Sequence, residues 1–110
     1  MSFHKSFNHL HINTRPGHTV LEGTTHDERG LEINSQILLD DYIGNSNGRF
    51  VWGGRNFSRS ADNDTMTLSN TPHGAILRAH LLKDDETWSE NQRIDLSEKI
   101  ANLNGKLRVV

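Results

Sequence analysis

Ile37-Leu38-Leu39-Asp40-Asp41-Tyr42-Ile43-Gly44-Asn45-Ser46-Asn47-Gly48-Arg49-Phe50 is answered further along the chain by Ile94-Asp95-Leu96-Ser97-Glu98-Lys99-Ile100-Ala101-Asn102-Leu103-Asn104-Gly105-Lys106-Leu107. Ile, Leu, Ile, Asn, Asn and Gly recur in register at an offset of 57, from Ile37 to Ile94. Upstream, Leu10-His11-Ile12, Pro16 and Val20-Leu21 align with Met66-Thr67-Leu68, Pro72 and Ile76-Leu77 at an offset of 56, from Leu10 to Met66. The extra residue falls in the charged loop 82–87, relative to 26–30. Register kept on both sides of one length change in a loop marks an internal duplication. The repeats are residues 1–56 and 57–110 of a single domain spanning 1–110. Each copy is too small to bury a core alone, so the two must pack together or intertwine.

Each copy reads as β. Leu31, Ile33, Ser35, Ile37 and Leu39 alternate with Glu32, Asn34, Gln36 and Leu38, a period of two broken only at Leu38. Asn47-Gly48 and Asn104-Gly105 are hairpin signals, because a two-residue type I′ turn needs positive φ at both positions. Thr14-Arg15-Pro16-Gly17 and Asn70-Thr71-Pro72-His73 are turn-like. One helical turn is expected at Asp41-Tyr42-Ile43 and another at Ser97-Glu98-Lys99-Ile100. No long segment has a period of 3.6, and the polar stretch 84–99 takes its β character from its equivalent in the first copy. The expected fold class is therefore all-β and pseudo-symmetric. Ile37, Leu39, Ile43, Ile94, Leu96 and Ile100 should be buried, with Trp52 near the join.

Composition removes several classes of function. Hydrophobic residues are 33% of the 110, so the core is small and each apolar position counts. The net charge of −2 is spread without a basic stripe, which argues against nucleic-acid binding. No apolar run is long enough to cross a bilayer, and residues 1–6 lack the apolar segment of a secretory signal. There are no cysteines, hence no disulfide framework and no thiolate metal site. A cytoplasmic address is expected, or secretion without a classical signal peptide. On that reading the formal sequons Asn56-Phe57-Ser58 and Asn63-Asp64-Thr65 go unused.

Seven histidines raise the question of a metal. His9 and His11 would share one face of a strand, but no third ligand is evident and the repeat has Thr67 in place of His11. No metal and no cofactor are expected. The paired carboxylates Asp40-Asp41 and Asp84-Asp85 point apart wherever they lie on a strand or loop, which does not suit a glycosidase. No nucleophile elbow is present, and catalysis is not expected.

The informative feature is polar density at turns: Asn45-Ser46-Asn47-Gly48, Gly53-Gly54-Arg55-Asn56 and Asn102-Leu103-Asn104-Gly105. Asn and Gly are what tight turns require. They also match sugar hydroxyls, since Asn both donates and accepts, carboxylates accept from vicinal hydroxyls, and glycines bare their N–H groups. Two such sites in one chain raise avidity without new contacts. Duplication and hydroxyl-matching loops together favour a lectin.

The segment Ile43-Gly44-Asn45-Ser46-Asn47-Gly48-Arg49-Phe50-Val51-Trp52-Gly53-Gly54-Arg55-Asn56-Phe57 resembles the join between the repeats of cyanovirin-N homologues, Trp and Asn-Phe pair included. The second copy, through Asn102-Leu103-Asn104-Gly105, resembles the C-terminal repeat of the same family. The similarity covers nearly the whole chain. It implies two pseudo-symmetric halves, each a three-stranded sheet plus a hairpin, with elements exchanged between repeats. It also implies binding of high-mannose glycans through mannose-α-1,2-mannose at one site per half. In the half built from the middle of the chain, that site would use Asn45, Ser46, Asn47, Arg55, Asn56, Ser60, Lys83, Asp84 and Asp85. In the half that joins the termini it would use Lys5, Ser6, His26, Asp27, Asn102, Leu103 and Asn104.

The family's best-known member has two disulfides, whose matching positions here are approximately Phe7 with Thr25 and Ala61 with Leu81. Losing a disulfide costs about 2–5 kcal/mol. Ala61 and Leu81 are expected to offset part of this as apolar fillers, and Thr25 opposite Phe7 to be the poorer replacement. The middle site is expected to be the stronger. The resemblance makes oligomannose glycans or glycoproteins the partners, with no nucleic acid and no membrane insertion. A monomer is expected, with a swapped dimer as the alternative because residues 52–57 form a short link between self-complementary halves. The competing reading is the same fold without sugar binding, acting as a scaffold or protein-interaction module.

Overall fold

The computed structural model describes residues 7–72 and 74–110. The first copy supplies β1 (Asn8–Arg15), β2 (His18–His26) and β3 (Glu32–Leu38), then β4 (Ile43–Ser46) and β5 (Arg49–Trp52). The second supplies β6 (Thr67–Thr71), β7 (Gly74–Ala79) and β8 (Gln92–Asp95), then β9 (Ile100–Leu103) and β10 (Lys106–Val109). Each copy thus forms an antiparallel three-stranded sheet, β1-β2-β3 or β6-β7-β8, followed by a two-stranded hairpin.

The inward alternation follows the expected register. Ile37, Leu39, Ile43, Ile94, Leu96 and Ile100 are all buried, and Trp52 is half-buried against the same core. Leu31 departs from the pattern: β3 begins at Glu32, and Leu31 stands exposed in the preceding turn, where its N–H bonds to Asp27. The helical turns fall two residues and one residue earlier than expected, at Leu39–Asp41 and Leu96–Glu98. Starting the turn at the buried leucine lets Leu39 and Leu96 close the core before the chain swings into the hairpin.

The hairpins are exchanged. β9–β10 lies on the sheet of the first copy, where Leu107 N–H donates to Ser35 Oγ at 3.0 Å. β4–β5 lies on the second, where Asn45 Nδ2 donates to the Leu82 carbonyl at 2.8 Å. The result is one core to which both copies contribute: Leu21, Leu39 and Ile43 meet Phe57, Leu77, Leu81, Leu96 and Ile100. Each fully buried Leu or Ile there stabilises the fold by about 1.5–3 kcal/mol. The molecule is drawn out to 52 × 24 × 24 Å.

The positions matching the family's disulfides are filled by packing. Ala61 and Leu81 pair directly as a β-bridge and are buried. Phe7 and Thr25 are buried too, and the Phe7 ring lies over Gly23, where a Cβ would come within 3.1 Å of it.

Candidate functional site

Asn47 and Gly48 occupy the centre of the β4–β5 turn with φ of 48° and 86°, the type I′ geometry that the Asn-Gly pair predicts. The turn is bolted down from within. Asn45 Oδ1 accepts the Gly48 N–H at 2.7 Å, and Asn45 Nδ2 donates to Ser60 Oγ at 2.9 Å as well as to Leu82. With both amide donors engaged, Asn45 acts as a brace, and Ser60 is the post it holds.

The facing wall is the loop 82–89. Asn47 Oδ1 accepts the Asp84 N–H at 2.9 Å, tying turn to loop. A Cβ on Gly48 would lie 2.6 Å from Lys83 Cγ, so glycine allows this approach as well as the positive φ. Asp85 Oδ1 accepts from the Thr87 hydroxyl and N–H, which holds its carboxyl below the usual carboxylate range and shapes the loop. A catalytic acid needs a shift the other way.

Between these walls lies a cavity of about 560 Å³ lined by Ser46, Asn47, Gly48, Arg49, Lys83, Ser89, Glu90 and Gln92. Asn47 Nδ2 and the Asp84 carboxylate carry no side-chain bond among the described residues, which leaves them free for a ligand. Arg49, Ser89, Glu90 and Gln92 went unread in the sequence. Their signal was weak, since only the three-dimensional seat of the hairpin brings β8 and its approach beside residues 46–49. Arg55 and Asn56 are exposed and lie outside this cavity. They sit on the connection that presses Gly54 against Gly44, and Asn56 takes φ of 62° with its N–H bonded to the Asp40 carbonyl at 2.8 Å.

The terminal half repeats the turn, with no equivalent of the tie among the described residues. Asn104 and Gly105 have φ of 55° and 86°, and Asn102 Oδ1 accepts the Gly105 N–H at 2.8 Å. The Asp27 carboxylate is turned into its own loop, accepting from Arg29 N–H at 2.8 Å and Leu31 N–H at 3.0 Å. His26 is exposed at the end of β2, and Leu103 is half exposed at the hairpin tip. Lys5 and Ser6 lie outside the described residues.

The carboxylates of Asp40 and Asp41 part company: Asp40 is buried in hydrogen bonds to Thr19 and Ser58, and Asp41 is exposed. No cluster of three or more metal-ligating side chains occurs among the described residues.

Two exchanged repeats, each with a braced polar hairpin turn, define a lectin fold. Residues 3–108 match the family model of the CVNH domain, and the chain belongs to that family. A cyanovirin-N homolog of Neurospora crassa is 31% identical over 109 residues, 98% of this chain and 97% of that protein. The NMR structure of the Gibberella zeae CVNH protein is 37% identical with a TM-score of 0.79, covering 97% of this chain and 95% of that one. Microvirin, solved in complex with mannobiose, shares the fold at 23% identity and a TM-score of 0.79 over 98% of this chain and 97% of its own.

Proposed function

We propose that this chain is a non-catalytic lectin that takes high-mannose glycans through terminal mannose-α-1,2-mannose, with the β4–β5 groove as its stronger site. The observation that carries the reading is the bond from Asp84 N–H to Asn47 Oδ1, which fixes two polar walls across one cavity before any ligand arrives. Preorganised walls spare the ordering cost of binding. At the groove, Asn47 Nδ2 and Lys83 donate and Ser46 does either, while Asp84, outside the lining but tied to Asn47 through its N–H, accepts from vicinal hydroxyls. Asn45, Ser60 and Asp85 support those residues, while Arg55 and Asn56 form an outer rim. Microvirin's mannobiose complex lends support from the same fold.

The terminal site, Asn102, Leu103 and Asn104 with His26, Asp27, Lys5 and Ser6, is the weaker. Its acidic wall already spends its carboxylate on its own loop.

A ¹⁵N NMR titration with mannose-α-1,2-mannose tests both statements. The amides of Asn47, Lys83 and Asp84 should shift, and Asn47→Ala should weaken binding about tenfold, the loss of one or two ligand hydrogen bonds. Shifts confined to His26 and Asn102 would reverse the ranking. A folded protein silent in both halves would favour the scaffold reading.

A further inference from the structure

The outward face of the first sheet carries two adjoining depressions. One, of about 450 Å³, is lined by His9, His11, Glu22, Thr24, Asn34 and Gln36 among others. The other, of about 300 Å³, runs from Glu22 and Gln36 towards Arg15 and His18. Glu22 and Gln36 line both, so the two form one trough across β1, β2 and β3.

His11 stands beside Glu22, on the edge strand β1. Its Nδ1 is 2.7 Å from the His9 carbonyl and its Nε2 is 2.9 Å from Glu22 Oε2. A carbonyl and a carboxylate only accept, so this geometry suits the protonated ring, and the His9 carbonyl and Glu22 raise the pKa of His11 above its usual value. Once protonated, the ring offsets the charge of Glu22. The cross-strand row His11, Glu22, Gln36 carries little net charge when His11 is protonated, and it is dense in donors and acceptors. His9 reaches this place with φ of 56°, at the register break between Asn8 and His11, and that local distortion turns its carbonyl onto the His11 ring.

The second repeat serves as an internal control. The row equivalent to His11, Glu22 and Gln36 is Thr67, Arg78 and Arg93, held in the same register. The fold therefore does not require the first-sheet residues. The second sheet instead sets two arginines opposite one another, with no ion pair among the described residues.

We propose that the first-sheet trough is a binding site for a neutral polyhydroxylated ligand, a sugar residue, separate from the hairpin groove. Glu22 Oε1, which has no partner among the described residues, accepts from vicinal hydroxyls. Asn34 and Gln36 donate and accept beside it, their amides making no side-chain bond among the described residues. His11 is a positioning residue that holds Glu22. With His11 and Glu22 paired, the row favours a neutral ligand over an ion, and among the described lining residues only Arg15, at one end, adds a fixed charge.

The intact chain, titrated separately with mannose-α-1,2-mannose, glucose, galactose, N-acetylglucosamine and inorganic phosphate under ¹⁵N NMR, supplies the test. At least one sugar should shift the amides of Glu22, Thr24, Asn34 and Gln36, saturating independently of any shift at Asn47 and Asp84. Glu22→Gln keeps the size of the side chain and should weaken that binding about tenfold without altering the response at Asn47. His11→Gln should weaken it less, and His11→Arg, which restores a cation beside Glu22, should recover part of the loss. Sheet amides unmoved by every sugar, or moved by phosphate alone, would overturn the proposal. A silent hairpin beside a responsive trough would sink the hairpin reading and leave this one standing.

Discussion

Asp40 and Ser58, in different copies, are joined twice: Asp40 Oδ2 accepts the Ser58 N–H and Asp40 Oδ1 accepts the Ser58 hydroxyl, both at 2.9 Å. Asp40 Oδ1 also accepts the Thr19 N–H at 2.7 Å, so one buried carboxylate joins β2, the turn Leu39–Asp41 and the turn Phe57–Ser60. Asp40→Ala would leave two N–H groups buried without acceptors. Equilibrium urea unfolding should show a loss of about 3 kcal/mol.

Two glycine substitutions separate backbone strain from crowding. Gly30 and Gly48 both have positive φ, 79° and 86°, but a Cβ on Gly30 meets nothing within 4 Å and one on Gly48 meets Lys83 and Ser89. Gly30→Ala should cost about 1 kcal/mol and leave glycan binding alone. Gly48→Ala should cost at least about 2 kcal/mol, with the added crowding. It should also push Lys83 from the turn and weaken mannose-α-1,2-mannose binding about fivefold or more, as measured by calorimetry.

A designed disulfide tests the packing at the missing cross-links. Ala61 and Leu81 are direct partners in an antiparallel bridge. Directly opposed residues stand about 4.5–5.5 Å apart at Cα, within reach of a disulfide. The Ala61→Cys, Leu81→Cys protein should be more stable oxidised than reduced by about 2–4 kcal/mol. An oxidised form no more stable than the reduced one would show that the bridge is distorted by closing.

Protonation of His11 makes a small part of the stability depend on pH. The His9 carbonyl, and then Glu22, raise its pKa above 6.5 against some desolvation. A raised folded pKa gives stability that is fully present below the unfolded value and is lost as pH rises through the folded one. The titratable groups on the same face are His9, Arg15, His18, Glu22, His26 and Glu32. Their background cancels in a difference, so wild type should lead His11→Gln below about pH 6.5 and lose that lead at higher pH. Urea midpoints measured across that range check it, and the lead is small because the pair is exposed to solvent.

What the sequence disclosed is what short range decides. Asn47-Gly48 and Asn104-Gly105 impose their turn from two adjacent residues, and the alternation through Ile33, Ser35 and Ile37 fixes which face of β3 turns inward. The repeat supplied the rest of the architecture by analogy. Roles set by distant partners stayed hidden. Asn45 looks like a ligand-binding residue until Leu82, 37 positions on, takes its amide. Asp27 looks like an acidic wall until the N–H groups of Arg29 and Leu31 claim its carboxylate. Glu90 and Gln92 had no motif to mark them, and reach the groove only because β4–β5 is seated on the other copy.

The exchanged hairpin also sets a schedule for synthesis. Ser35 is bonded by Leu107, 72 residues later, and β3 packs against β10. At ~5–20 residues per second, the first sheet is made about 4–14 s before the strand that shields it. For that interval the part of its inward face that β10 covers is open to other nascent chains. The half translated first is thus the last to be finished, and its yield in the cell depends on what guards an open apolar sheet until translation reaches the final strand.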